Sequence, residues 1–116
     1  MLALLLALLP LIAAAADGPP TITPAEAAKH VGELVVVQGR VDQVSVSARS
    51  ETTYLNFGGR HPNHTFSAVV FKSKQPQFPN LLAYEGRVAR VQGVVQIYFE
   101  KPEIVLSEPG QLRSPD

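Results

Sequence analysis

The sequence predicts an all-β protein: a five-stranded antiparallel Greek-key barrel with a short N-terminal helix and a second short helix between strands 3 and 4. Three observations predict it. Apolar and polar residues alternate with period two in separate runs along the chain. Clusters of Gly, Pro, Asn and Ser stand between the runs, where turns need them. A glycine sits in the middle of each of the two longest runs, Gly39 and Gly93, as expected where the strands of a small closed sheet bend.

The elements follow in order. Thr23-Pro24-Ala25-Glu26 reads as a capping box with Pro at the first helical position, opening a helix from Ala25 to about Val31 that Gly32 stops. Strand 1 starts at Glu33, with Val35, Val37 and Val41 on one side and Gln38, Arg40 and Asp42 on the other; Gly39 inside it marks a bulge or bend. A polar turn, Ser45 to Ser50, leads to strand 2, Thr52 to Phe57, where Leu55 and Phe57 share a face opposite Tyr54 and Asn56. The stretch Gly58 to His64 is a loop. Strand 3 is Thr65 to Phe71, with Val69 and Phe71 taken inward and Phe66 and Lys72 outward. Pro79 to Tyr84 gives one or two helical turns. Strand 4 runs from Arg87 to Phe99, with Val91, Val95, Ile97 and Phe99 opposite Arg90, Gln92, Gln96 and Tyr98. Glu100-Lys101-Pro102 turns the chain into strand 5, Glu103 to Ser107.

Ahead of these elements, Met1 to Ala16 is apolar throughout and ends in an alanine run, which reads as a cleavable signal peptide cut after Ala16. No Lys or Arg precedes the apolar stretch, and Pro10 interrupts it. The alternative is a retained membrane anchor, but the stretch falls short of the roughly 20 residues a bilayer span requires, and no stable membrane span is expected after cleavage. The expected organisation is a signal peptide over 1–16, a linker and short helix over 17–31, the barrel over 32–107 and a flexible tail over 108–116. The expected location is periplasmic or secreted. About 100 residues then remain, enough for one core and no second domain. With no cysteine, disulfides, zinc–thiolate sites and thiol nucleophiles are excluded. Ten basic and ten acidic side chains cancel, against the basic excess of a dedicated duplex-DNA binder. The cancellation is uneven: no acidic residue lies between Glu51 and Glu85, where Arg60, His61, His64, Lys72 and Lys74 fall.

Three strands, a short helix and two further strands, with glycines in the first and fourth, is the order of the OB-fold. The segments VVVQGRVDQV, TYLNFGGRHPNHTFSAVVF, GRVARVQGVVQIY and KPEIVL resemble small bacterial OB domains of the tRNA-anticodon-binding-like group, which also occur beside nuclease domains. The resemblance covers about Gly32 to Leu106 and is most specific in Tyr54 to Gly58, in Pro62 to Phe66, and in Tyr98 with Lys101 to Ile104. It implies an OB domain whose relatives are usually described as nucleic-acid binding, although fold alone does not fix function.

OB domains bind across strands 2 and 3, framed by the loops between strands 1 and 2 and between strands 4 and 5. Here those strands offer Tyr54, Asn56, Phe66 and Lys72, and the loops add Arg49, Arg60, His61, His64, Lys74, Tyr98 and Lys101. Aromatic faces stack on unpaired bases while cations follow the phosphates, so the mixture fits single-stranded nucleic acid or another polyanion. Core aromatics and edge-protecting lysines would leave a similar trace. His61-x-x-His64 could share a metal ion, but no third ligand is evident and no metal or other cofactor is expected. Asn63-His64-Thr65 matches a glycosylation sequon, which matters only in a eukaryotic secretory pathway. Asp42, Glu51, Glu100 and Glu103 read as solvated charges at strand ends. No nucleophile elbow, metalloprotease motif or phosphate loop is present, so a binding module rather than an enzyme is expected. An envelope protein or glycan as partner, and a structural role through self-association at an open sheet edge, remain as alternatives.

Overall fold

The computed structural model describes residues 18–115, and in it eight strands join one sheet in the order β6-β7-β4-β3-β2-β5-β8, with β1 alongside β2. The strands are β1 (Thr21–Ile22), β2 (Leu34–Val46), β3 (Thr53–Phe57), β4 (Phe66–Val70), β5 (Val88–Val94), β6 (Gln96–Tyr98), β7 (Lys101–Val105) and β8 (Leu112–Arg113). Only Val95 separates β5 from β6, although the two lie towards opposite ends of the hydrogen-bonded path. The chain therefore closes what the hydrogen bonds leave open, and the sheet curls around a core. The segment read as a signal peptide lies outside the described residues. Among those residues no helix is long and apolar enough to cross a membrane.

Five strands were expected, and the difference has three sources. Strand 4 breaks at the buried Val95 into β5, which pairs with β2, and β6, which pairs with β7. The two-residue β1 adds to β2 at one end. Within 108–116, expected to be a flexible tail, β8 pairs with β5 and buries Leu112. A single apolar residue carries no periodicity, so nothing in the sequence marks that strand. The pairing is also not wholly antiparallel, because β4–β7 and β1–β2 are parallel. Strand β7 runs antiparallel to its hairpin partner β6, and that sense aligns it with β4 when it docks there.

Among the described residues the helical elements are minor and 3-10 in type: Pro24–His30, Lys72–Gln77, Leu81–Tyr84 and Pro109–Gln111. So short a segment gains little from α-helical propagation. At the first of them the Glu26 carboxylate accepts from both the backbone N–H and the hydroxyl of Thr23, at 2.8 and 3.1 Å. The Glu26 N–H in turn meets Thr23, its bond to the Thr23 carbonyl measuring 3.1 Å, and the expected capping box is present.

The two mid-strand glycines serve packing rather than a bulge. The β2–β5 ladder passes unbroken through Gly39, opposite Ala89, and through Gly93, opposite Val35. The bulge lies further on, at Asp42, where the β2–β3 register shifts between Val41 and Gln43. A Cβ on Gly39 would stand 2.6 Å from Pro24 Cγ, and one on Gly93 would strike the Ile104 side chain. Both positions admit a neighbour that any larger residue would displace.

The core is built by the inward residues of β2, β3, β4, β5 and β7: Val35, Val37, Val41, Leu55, Phe57, Phe66, Ala68, Val70, Ala89, Val91 and Ile104. Phe57 and Phe66 lie opposite each other in register, with ring centroids 5.4 Å apart. Strand 3 thus has the opposite parity to that expected. Phe66, Ala68 and Val70 face inward, and Phe71 is 48% exposed beyond the strand end. TFSAVVF carries apolar residues at both parities, so alternation could not decide it.

Candidate ligand-binding cleft

The opposite face of β2, β3, β4, β7 and β6 carries the candidate site. Register places Gln43 beside Asn56, Asn56 beside Ser67, Ser67 beside Glu103 and Glu103 beside Gln96, one polar row across five strands. Hydrogen bonds run along most of it. Asn56 Nδ2 donates to Gln43 Oε1 at 3.0 Å and to Ser45 Oγ at 3.2 Å, Ser67 Oγ donates to Asn56 Oδ1 at 2.8 Å, and Gln96 Nε2 donates to Glu103 Oε2 at 2.7 Å. The row also anchors the loop between β3 and β4, because the His61 N–H donates to Gln43 Oε1 at 2.8 Å. Asp42, thrown out by the bulge, accepts from the Gly59 N–H at 2.8 Å and holds the start of the same loop.

Over this row lies a cleft of about 610 Å³ whose walls include Tyr54, His61, His64, Tyr98, Phe99 and Lys101. Its volume falls in the range of small-ligand sites. The rim is formed by the tight turn Phe99-Glu100, where both residues have positive φ, 48° and 68°. Such a hairpin turn ordinarily carries Asn-Gly, and side-chain-bearing residues there store backbone strain. The turn holds Phe99 83% exposed, with its ring centroid 4.5 Å from that of Tyr98. The sequence placed the turn one residue later and Phe99 on the core side of its strand. Beyond Val95 the chain leaves the core, so Ile97 and Phe99 are exposed.

Of the residues read from the sequence as ligand-binding, the cleft brings together Tyr54, Asn56, His61, His64, Tyr98 and Lys101. Asn56 is 1% exposed with its amide donors fully engaged, which makes it a support for the face. Phe66 is withdrawn as a site residue, since it belongs to the core. Lys72, expected on a strand, lies with the loop residue Lys74 on the 3-10 segment after β4, and it donates to Glu51 at 2.8 Å. That pair reduces the basic character expected of the Glu51–Glu85 window. Arg49 and Arg60 are exposed on loops next to the cleft and do not line it.

Sequence reasoning missed Glu103. Read as a solvated strand-end charge, it is 7% exposed on the cleft floor, and burial pushes its carboxyl above the ordinary carboxylate range. Register with Ser67 makes it central, and a parallel pairing is not visible in local sequence. His64 was expected on an open loop. It is instead 8% exposed, its Nδ1 is buried without a hydrogen-bond partner among the described residues, and its backbone carbonyl accepts from Lys101 Nζ at 2.6 Å. Burial, then the nearby Lys101 and His61, hold its imidazole below the usual value and favour the neutral ring. Burial likewise raises the Tyr54 phenol, with Tyr98 and Glu103 adding to it. The His61 and His64 rings stand 5.5 Å apart between centroids, and among the described residues no group of three metal-ligating side chains forms.

No protein-family model matches the chain, and no curated protein matches it significantly. Solved structures do. OBody AM2EP06, solved bound to hen egg-white lysozyme, superposes with a TM-score of 0.55 at 20% identity, over 75% of this chain and 87% of that one. A Leishmania major Friedlin protein assigned as an aspartyl-tRNA synthetase gives 0.51 at 10% identity, over 79% of this chain and 20% of that one. The aspartyl tRNA synthetase of Entamoeba histolytica gives 0.48 at 17% identity, over 69% of this chain and 18% of that one. The chain thus spans about a fifth of each synthetase. With the strand order, the first two likenesses show an OB-like fold.

Proposed function

We propose that the chain is an exported OB-like binding module, not an enzyme, which takes single-stranded nucleic acid across the β3–β4–β7 face. One observation carries this reading: the cleft on that face sets the exposed Tyr98 and Phe99 rings, with Tyr54, beside Lys101 and His61. Unpaired bases stack on such rings while cations nearby meet the phosphates. Arg49 and Arg60 extend the cationic surface on the adjoining loops. The resemblance to tRNA-anticodon-binding-like domains points the same way. Export rests on the apolar leader alone.

The test is fluorescence anisotropy of the protein with labelled single-stranded DNA and RNA at low and physiological salt. Three or four phosphate contacts give log K falling with log salt at a slope of about −2 to −3. Phe99→Ala, at an exposed position, should cost about 1–3 kcal/mol of binding with an unchanged fold. Affinity indifferent to both salt and Phe99→Ala overturns the reading. A second reading, a neutral glycan or an envelope protein, is favoured by the Glu103 carboxyl on the cleft floor and by the balanced charge of the chain. Salt-insensitive retention on a glycan array or on a single envelope protein would establish it.

A further inference from the structure

Resting on the nucleic-acid reading, we infer that Glu103 reads the edge of one base held in the cleft and selects bases carrying an exocyclic amino group over uracil and thymine. The geometry of the polar row leads there. Asn56 spends both amide hydrogens on Gln43 and Ser45 and accepts from Ser67. Those groups make the floor rigid and leave little for a ligand. Glu103 differs: Gln96 donates to Oε2, and Oε1 has no protein partner among the described residues while its side chain lines the cleft. In its ionised form the carboxylate only accepts, so the group that completes it must donate.

An exocyclic amine projects past the ring edge and donates to a carboxylate, the usual pairing of an acidic side chain with cytosine. The imino N–H of uracil lies between two carbonyl oxygens, which a carboxylate repels. The second observation is His64. It lines the same cleft, is more than nine-tenths buried, and its Nδ1 is a desolvated polar atom without a hydrogen-bond partner among the described residues. A ring rotation that brings this nitrogen to the base removes the deficit, and a base edge offers the partner that the protein does not. Tyr98 and Phe99 at the rim supply the stacking surface that fixes the base plane.

The experiment compares oligo-dC with oligo-dU of equal length by anisotropy, using the whole protein at neutral pH. The two pyrimidines differ at the 4-position, amine against carbonyl, and at N3, acceptor against donor. Wild type should bind oligo-dC roughly tenfold more tightly, the worth of one charge-assisted hydrogen bond. Glu103→Gln keeps the shape and can keep the bond to Gln96, but its amide both donates and accepts, so the ratio should fall to near one with the salt slope unchanged. A thermal melt of the variant confirms that it folds. Equal affinities in wild type, or a preference that Glu103→Gln retains, overturns base reading by Glu103 while nucleic-acid binding stands. Failure of both oligomers to bind overturns this inference together with the reading it rests on.

Discussion

Replacing Asn56 with leucine should destabilise the fold by about 2–4 kcal/mol, although the two side chains are close in size. The magnitude follows from the row it holds together. Asn56 makes three side-chain hydrogen bonds, to Gln43, Ser45 and Ser67, at 3.0, 3.2 and 2.8 Å. Each neutral bond contributes about 1 kcal/mol net, and a buried donor left without an acceptor costs about 1–3 kcal/mol. The Ser67 hydroxyl, on a residue 5% exposed, is that donor. Gln43 retains the His61 N–H, and the half-buried Ser45 can turn to water, so their losses are smaller. The buried leucine offsets part of the sum. Urea titration at neutral pH measures the change, and a thermal scan should show the midpoint falling by about 10–25 °C for a domain of this size. Ser67→Ala removes the orphaned hydroxyl. The Asn56→Leu, Ser67→Ala double variant should therefore cost less than the sum of the single changes by at least about 0.5 kcal/mol. A loss under about 0.5 kcal/mol for Asn56→Leu, or strict additivity, would refute the view that the row holds the face together.

Three further outcomes follow from the same structure. Phe66→Ala should cost about 3–5 kcal/mol in urea titration, since it removes a fully buried ring packed on Phe57; a stable variant that loses only ligand affinity would return Phe66 to the binding face. His64→Phe should stabilise the protein by about 1 kcal/mol near neutral pH by removing the unpaired Nδ1. The margin should then widen in acid. The folded imidazole titrates below its ordinary 6.5 because of burial, then Lys101 and His61, so the unfolded chain takes the proton more readily and wild type loses stability as pH falls through that value. Urea midpoints of both proteins at a series of pH values check this, and parallel curves would count against it. Changing Phe99-Glu100 to Asn-Gly relieves two positive-φ residues and should raise stability by about 1–2 kcal/mol while weakening nucleic-acid affinity. Higher stability with affinity intact would remove Phe99 from the stacking surface.

By itself the sequence determined the all-β class, the glycines of the two long strands, and the face shared by Tyr54 and Asn56. In β3, Leu55 and Phe57 alternate with Tyr54 and Asn56, so a period of two leaves one parity to bury; in β2 the same parity buries Val35, Val37 and Val41, although Val36 between them is buried as well. Tertiary structure decided the rest. TFSAVVF is apolar at both parities because β4 is covered on both faces, and its register with β3 turned Phe66 inward. Strand 4 reads as one run, yet Val95 divides it, since one half pairs with β2 and the other with β7. Glu103 became the centre of the cleft floor only through the parallel pairing of β7 with β4, and Lys72 lost its freedom through a contact with Glu51 on another loop. Alternation is a local property of each strand, legible residue by residue. Which strands become neighbours, and so which side chains share a row, depends on closing the sheet around its core, and no local pattern encodes that.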